Sequence, residues 1–173
     1  MRDTSQSGFT MVELLAVIAI GAILLTLGAA ALRDYTRGKA LQGARDMTVT
    51  QLRTAQQRTF SEGYPRAYGV RFLKDDTRWD LVRYDASTGT CTVVERHVLT
   101  DGVEISGVQT ETDFPESAAA DACRSATPSV PGTYEVALFF ARGSATAGKV
   151  TFTLSGTGKT RTVTVDGATG SVS

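Results

Sequence analysis

The hydrophobic pattern divides the chain into two unlike parts. From Phe9 to Leu32 the sequence is almost continuously apolar, 24 residues with one charge, Glu13. Further on, Leu41, Ala44, Thr48, Leu52, Ala55 and Thr59 recur at three- and four-residue intervals. That is the spacing of one face of an α-helix. No proline precedes Pro65. The two stretches together predict one helix from about Phe9 to about Ser61, roughly 80 Å long. Gly63 and Pro65 end it. Its first half, residues 9–32, is roughly 36 Å long, enough to cross a hydrocarbon core of about 30 Å. Its second half, residues 33–62, is amphipathic.

Beyond Pro65 the helical period gives way to short runs of β character. They are Tyr68–Leu73, Arg78–Tyr84, Thr90–Leu99, Val103–Val108, Tyr134–Phe140, Lys149–Leu154 and Thr160–Val165. Val150, Phe152 and Leu154 alternate with Thr151, Thr153 and Ser155, the pattern of a half-buried strand. Turn signals separate the runs, among them Asp101-Gly102, Gly156-Thr157-Gly158 and Asp166-Gly167. Asp113–Gly132 is rich in Ser, Ala and Pro and reads as a long loop. The expected fold is α+β: a long N-terminal helix packed on a small antiparallel β-sheet head formed by residues 63–173.

Composition narrows the function classes. Eighteen basic residues balance eighteen acidic ones, which excludes a uniformly basic nucleic-acid binder. An apolar content of 42% is too high for a disordered chain. Two Cys and one His are too few for a structural four-ligand zinc site, and nothing points to a cofactor. Charge is unevenly placed, however. Residues 33–60 carry Arg33, Arg37, Lys39, Arg45, Arg53 and Arg58 against Asp34 and Asp46. Residues 101–121 carry six acidic residues and no basic one.

Glu13 is the anomaly of the apolar run. A carboxylate at the centre of a membrane helix costs about 2.5–3.5 kcal/mol and by default marks function. The alternative is a carboxylate near the interface that snorkels. The run is not a conventional secretory signal: it is too long for an h-region, and no small-x-small site follows it. A small residue, Gly8, precedes it instead. The stretch Gly8-Phe9-Thr10-Met11-Val12-Glu13-Leu14-Leu15 resembles the processing motif of type IV prepilins and type II secretion pseudopilins, over about residues 8–32. The resemblance implies that a prepilin peptidase removes a leader, residues 1–8, by cutting between Gly8 and Phe9. It also implies N-methylation of Phe9. Glu13 of one subunit would then pair with the new ammonium of a neighbour and set filament register.

Three features depart from the family pattern. Arg2 in the leader is offset by Asp3. Arg33, Arg37 and Lys39 lie beyond the span, which by the positive-inside rule alone would put the N-terminus outside. No proline stands near the end of the span, where this chain has Gly28-Ala29-Ala30-Ala31. The processing motif takes precedence over the charge count. The expected location is the cytoplasmic (inner) membrane, single-pass with the head outside, and then a pilus or pseudopilus. The partners implied are the peptidase and other pilin or pseudopilin subunits.

The C-terminal part from Tyr134 is similar to the GspH/FimT branch of minor pilins and pseudopilins. The similarity rests on the strand at Glu135–Phe140, the Gly-rich Gly143–Gly148, and the closing Arg161–Gly170. The expected function is a structural minor subunit rather than an enzyme. The alternative is a filament-borne binding module, a DNA-uptake receptor or adhesin, with Lys149, Lys159 and Arg161 as candidate nucleic-acid contacts. The chain ends Gly170-Ser171-Val172-Ser173, without the basic tail that DNA-binding members would have.

Other residues offer candidate chemistry. With the head outside the cytoplasm, Cys91 and Cys123 can form a disulfide closing a loop of about 33 residues, worth roughly 3–4 kcal/mol. The alternative is two buried thiols. Gly143–Lys149 matches most of a phosphate-binding loop, but Val150 stands where Ser or Thr is needed, and a hairpin loop is the simpler reading. His97 shares strand parity with Cys91, Val93 and Glu95, so a Cys–His pair is conceivable without any supporting motif. The acidic residues Asp101, Glu104, Glu111, Asp113, Glu116 and Asp121 could bind calcium or contact a partner, but they fit no EF-hand spacing, and a solvated loop is the simpler reading. Arg33 and Arg37, one turn apart, suit phospholipid head groups or neighbouring subunits.

Overall fold

The computed structural model describes residues 10–99, 102–110, 117–127, 132 and 134–173, apart from the side chains of residues 27, 30, 31, 109, 110 and 117. The expected helix forms as α1, Met11–Glu62. Thr10 caps it. Its carbonyl accepts from the Leu14 N–H at 3.2 Å and its hydroxyl from the Glu13 N–H at 3.3 Å. Gly63 closes the other end with φ 67°, its N–H donating to the Thr59 carbonyl at 2.9 Å. The helix continues through Gly28.

The chain forms two compact units, residues 1–37 and 38–173, so the division falls inside α1. The reason lies in the amphipathic half. Leu41, Ala44, Thr48, Leu52, Ala55 and Thr59, the face read from the sequence, are all buried in the second unit. Thr48 and Thr59 are tolerated there because their hydroxyls bond the carbonyls four residues back. Thr59 also accepts the Tyr68 N–H at 2.8 Å and thereby ties α1 to the first strand.

Among the described residues seven strands follow: β1 Arg66–Leu73, β2 Arg78–Asp85, β3 Thr90–Val98, β4 Val103–Thr110, β5 Tyr134–Phe139, β6 Gly148–Leu154 and β7 Thr160–Val165. They match the seven runs of the sequence within two residues at each end. They do not form one sheet. Four make a sheet in the order β3-β2-β1-β5, and three make another in the order β4-β6-β7. All pairings are antiparallel.

The first sheet is covered on both faces. Tyr68, Val70, Phe72, Trp79 and Leu81 face the larger core, with Leu52 and Ala55 of α1 and with Val150, Phe152, Val163 and Val165 of the second sheet. Val82, Val136 and Leu138 face the other way, against Ala119, Ala120 and Cys123. The latter three belong to a second helix, α2, Ser117–Arg124. It lies in the stretch expected to be a long loop. The sequence Ser-Ala-Ala-Ala-Asp-Ala-Cys-Arg has high helix propensity and puts small apolar residues on one face. It is only eight residues long, too short to show periodicity against its Ser- and Pro-rich flanks.

β1 can be buried on both faces because Gly69 lets β5 approach. A Cβ at that position would collide with the Ala137 carbonyl and the Leu138 side chain. The chain end is fixed as well. Ser173 exchanges hydrogen bonds with Thr164 of β7 at 2.9 and 3.0 Å. The Gly170 carbonyl accepts from Gln56 Nε2 of α1 at 3.2 Å.

Candidate functional site

The first unit is α1 up to Arg37, and its chemistry is one of exposure. Met11, Val12, Leu14, Leu15, Val17, Ile18, Ile20, Ile23, Leu24, Leu25 and Leu32 all lie exposed. A continuous apolar surface of this kind requires a partner, whether lipid or other helices. Glu13 sits exposed in its first turn. Gly8 and Phe9, the expected processing site, lie outside the described residues. Among the described residues no helix is long and apolar enough to cross a membrane. The expected span over 9–32 includes Phe9 and the side chains of Leu27, Ala30 and Ala31, which are outside the description. Arg33 and Arg37 are exposed.

In the second unit the cysteines are joined. Cys91 of β3 and Cys123 of α2 form a disulfide with a Cα–Cα distance of 5.0 Å. It fastens α2 to the sheet. The same bond removes Cys91 from any Cys–His pairing. Geometry separates the two residues further. A bulge shifts the β2–β3 register between Leu81 and Val82, with Val93 opposite Val82 and Glu95 opposite Leu81. The extra residue, Val94, reverses strand parity. Cys91 and Val93 therefore pack on the α2 face, while Glu95 and His97 lie on the other face. There His97 stacks on Trp79 at 4.1 Å, and its Nε2 is 3.0 Å from Glu95 Oε1.

A second fastening of α2 was not visible in the sequence. Arg71 of β1 is fully buried. Its guanidinium donates to Asp80 Oδ2 at 2.6 Å and to the Ala126 carbonyl at 2.7 Å, with the Cys123 and Arg124 carbonyls at 3.3 and 3.4 Å. The Cys123 and Arg124 carbonyls end α2 and Ala126 follows it, so Arg71 serves as a C-terminal cap supplied by the sheet. It lies 4.2 Å over the Tyr134 ring. Arg96 of β3 reaches the other oxygen of Asp80 at 2.8 Å. The only trace in the sequence is a charged residue amid the apolar run of β1.

The basic residues proposed for nucleic acid are not gathered. Cross-strand partners share a face. Lys149 pairs with Thr164, on the outer face of the second sheet. Arg161 pairs with the buried Phe152 and has the parity of Val163 and Val165. Lys149 and Arg161 therefore point to opposite faces, with exposed Lys159 in the intervening turn.

Gly143–Lys149 connects a strand of one sheet to a strand of the other, not the two arms of a hairpin. The Thr146 hydroxyl is buried and accepts the Leu138 N–H at 2.6 Å, so the segment is a structural crossover. Among the described residues no cluster of His, Cys, Asp or Glu could hold a metal ion. Of the acidic stretch, Glu104 accepts the Ser155 hydroxyl and Asp121 pairs with Arg124; Asp101, Glu111, Asp113 and Glu116 lie outside the description.

Comparison with known proteins connects the exposed helix to the strand layout. Residues 3–29 match the prokaryotic N-terminal methylation motif. The fold is similar to the minor pseudopilin EpsH of the type 2 secretion system of Vibrio cholerae. That likeness has a TM-score of 0.54 and 11% identity, and covers 78% of this chain and 94% of that one. The fold is type IV pilin-like. The pilin-like fold is similar also to the type IV minor pilin FimU of Pseudomonas aeruginosa, at a TM-score of 0.50 and 18% identity, covering 80% of this chain and 90% of that one. No curated protein matches the chain by sequence.

Several carboxylates of the pilin-like head are held below the usual carboxylate range. Glu62 at the end of α1 accepts the Tyr68 hydroxyl and an Arg66 N–H. Asp76 is lowered chiefly by Arg78, Asp85 by the Ser87 hydroxyl, and Asp166 by the Thr169 hydroxyl. A carboxylate with a depressed folded pKa contributes stability above its unfolded pKa of about 4, and loses it as pH falls through the folded value. The thermal midpoint of the head is expected to be flat from pH 7 to about 5 and to fall below about 4. An unchanged midpoint at pH 3 would contradict these assignments.

Proposed function

We propose that this chain is a minor pilin or pseudopilin of the GspH/FimT branch, a structural subunit of a type IV pilus or type II secretion filament. A prepilin peptidase cuts between Gly8 and Phe9 and methylates Phe9. The segment 9–32 holds the subunit in the cytoplasmic membrane until it is drawn into the filament. The observation that carries this reading is the exposed apolar surface of α1 from Met11 to Leu32, headed by Glu13 and joined to a separately folded head. A soluble protein would not leave so much apolar area to water. Lipid and then neighbouring helices would cover it in turn. The methylation motif and the two structural likenesses support the same reading.

A DNA-receptor role has no comparable support, since Lys149 and Arg161 lie on opposite faces of their sheet.

The test is the mass of the N-terminal peptide from full-length protein expressed with and without a prepilin peptidase. An N-methylated Phe9 start that appears only with the enzyme is expected. An intact Met1, or a cut elsewhere, would overturn the reading.

A further inference from the structure

The head contains a cleft of about 520 Å³ at the N-terminal end of α2, opposite the end capped by Arg71. Its walls include the rings of Tyr64, Tyr84 and Phe140 and the methyls of Ala118 and Ala119, and Arg142 lines it too. Five of its eleven lining residues are alanine, so the volume exists because the side chains there are small. That size lies within the range of ligand-binding clefts.

The surroundings favour one kind of guest. Tyr64 is 81% exposed, and Phe60, one turn earlier on α1, is 51% exposed. Aromatic rings left in water beside an apolar cleft, together with arginine, have the composition of interface hot spots. The charges are unbalanced. Arg66, on the same wall, is already held by Glu62 at 2.9 Å. Asp85, next to Tyr84, is occupied by the Ser87 hydroxyl and N–H. Arg142 makes no ion pair or side-chain hydrogen bond with any described residue.

We propose that this cleft receives an apolar side chain with an adjacent carboxylate, presented by a segment of a neighbouring filament subunit, with Arg142 as the counter-cation. This rests on the filament-subunit reading above. The carboxylate would pair with the Arg142 guanidinium, and the apolar group would fill the space beside the aromatic residues. Charge pairing fixes orientation while the desolvated centre supplies affinity.

The test uses the full-length chain in its own cells, with p-benzoyl-phenylalanine in place of Tyr64 and ultraviolet crosslinking. The expected product joins this chain to a second protein that carries the same N-terminal motif. The linked peptide should have Asp or Glu within about two residues of the adduct. Arg142→Glu, a surface change, should lower its yield at least about tenfold. Ala118→Trp, which fills the cleft, should abolish it. N-methylated Phe9 and the intact Cys91–Cys123 bond report that both variants are still processed and folded. Four results would overturn the proposal with the filament reading intact: a yield that neither variant changes, a link to a non-acidic segment, a link only to lipid, or a link within the chain to residues 111–116. Loss of processing and of all filament association in the parent protein would instead overturn the filament reading itself.

Discussion

Asp80→Leu is expected to destabilise the head by about 3–5 kcal/mol. Asp80 is buried and accepts from two guanidinium groups, Arg71 at 2.6 Å and Arg96 at 2.8 Å. Leucine has the same branched heavy-atom outline and is larger rather than smaller, so no cavity opens and the loss is chiefly that of the carboxylate. It removes the carboxylate that the fully buried Arg71 is paired with at 2.6 Å. Breaking one side of a buried pair costs far more than the pair itself is worth. For a unit of this size the thermal midpoint should fall by roughly 10–20 °C. Arg96→Gln should cost less than about 1 kcal/mol, because Arg96 is partly exposed and Arg71 still satisfies Asp80. The double variant Arg71→Met, Asp80→Leu should recover much of the loss, since it removes both charges together. Thermal unfolding with the disulfide intact measures all three. A drop of under about 1 kcal/mol for Asp80→Leu would show that the cluster is not what holds α2.

The elements were largely legible in the sequence because each has a period that single residues report. The buried face of α1 follows from Leu41, Ala44, Thr48, Leu52, Ala55 and Thr59 without any tertiary information. β6 follows from the alternation of Val150, Phe152 and Leu154 with threonines. What was not legible depends on contacts between distant parts. The split into two sheets turns on which of seven similar strands pair, and strand character does not encode partners. The bulge at Val94 inverts parity between Cys91 and His97 without leaving a mark in composition. Arg71 looks like an outward residue of a half-buried strand until α2 covers that face. The cleft is harder still: its alanines come from β1, the turn after β2, α2 and the turn after β5, and only the fold assembles them. The N-terminal motif differs from all of these. It is a contiguous string and needs no fold to be recognised.

Glu13→Val and Glu13→Gln are expected to separate two roles that coincide at one residue. Thr10-Met11-Val12-Glu13 has the spacing of a capping box, and the Thr10 hydroxyl does accept the Glu13 N–H. Glu13 could therefore matter only because it helps to start α1. In the filament reading it matters because its carboxylate meets the ammonium of a neighbour's Phe9 where water is scarce. Gln can complete a capping box nearly as well as Glu but carries no charge. Val does neither. If capping were the whole role, the Gln variant would enter filaments normally and only the Val variant would fail. If pairing is the role, an ammonium is left unpaired in apolar surroundings in both variants, at a cost of several kcal/mol. Each 1.4 kcal/mol is tenfold in an equilibrium, so both variants should enter filaments at least about tenfold less than the parent. Membrane insertion should be unimpaired, because removing a carboxylate from an apolar helix favours insertion. The measurement is the ratio of filament-bound to membrane-bound protein, with the mass of the N-terminal peptide confirming processing. Normal incorporation of Glu13→Gln would refute the pairing and leave Glu13 as a helix-starting residue.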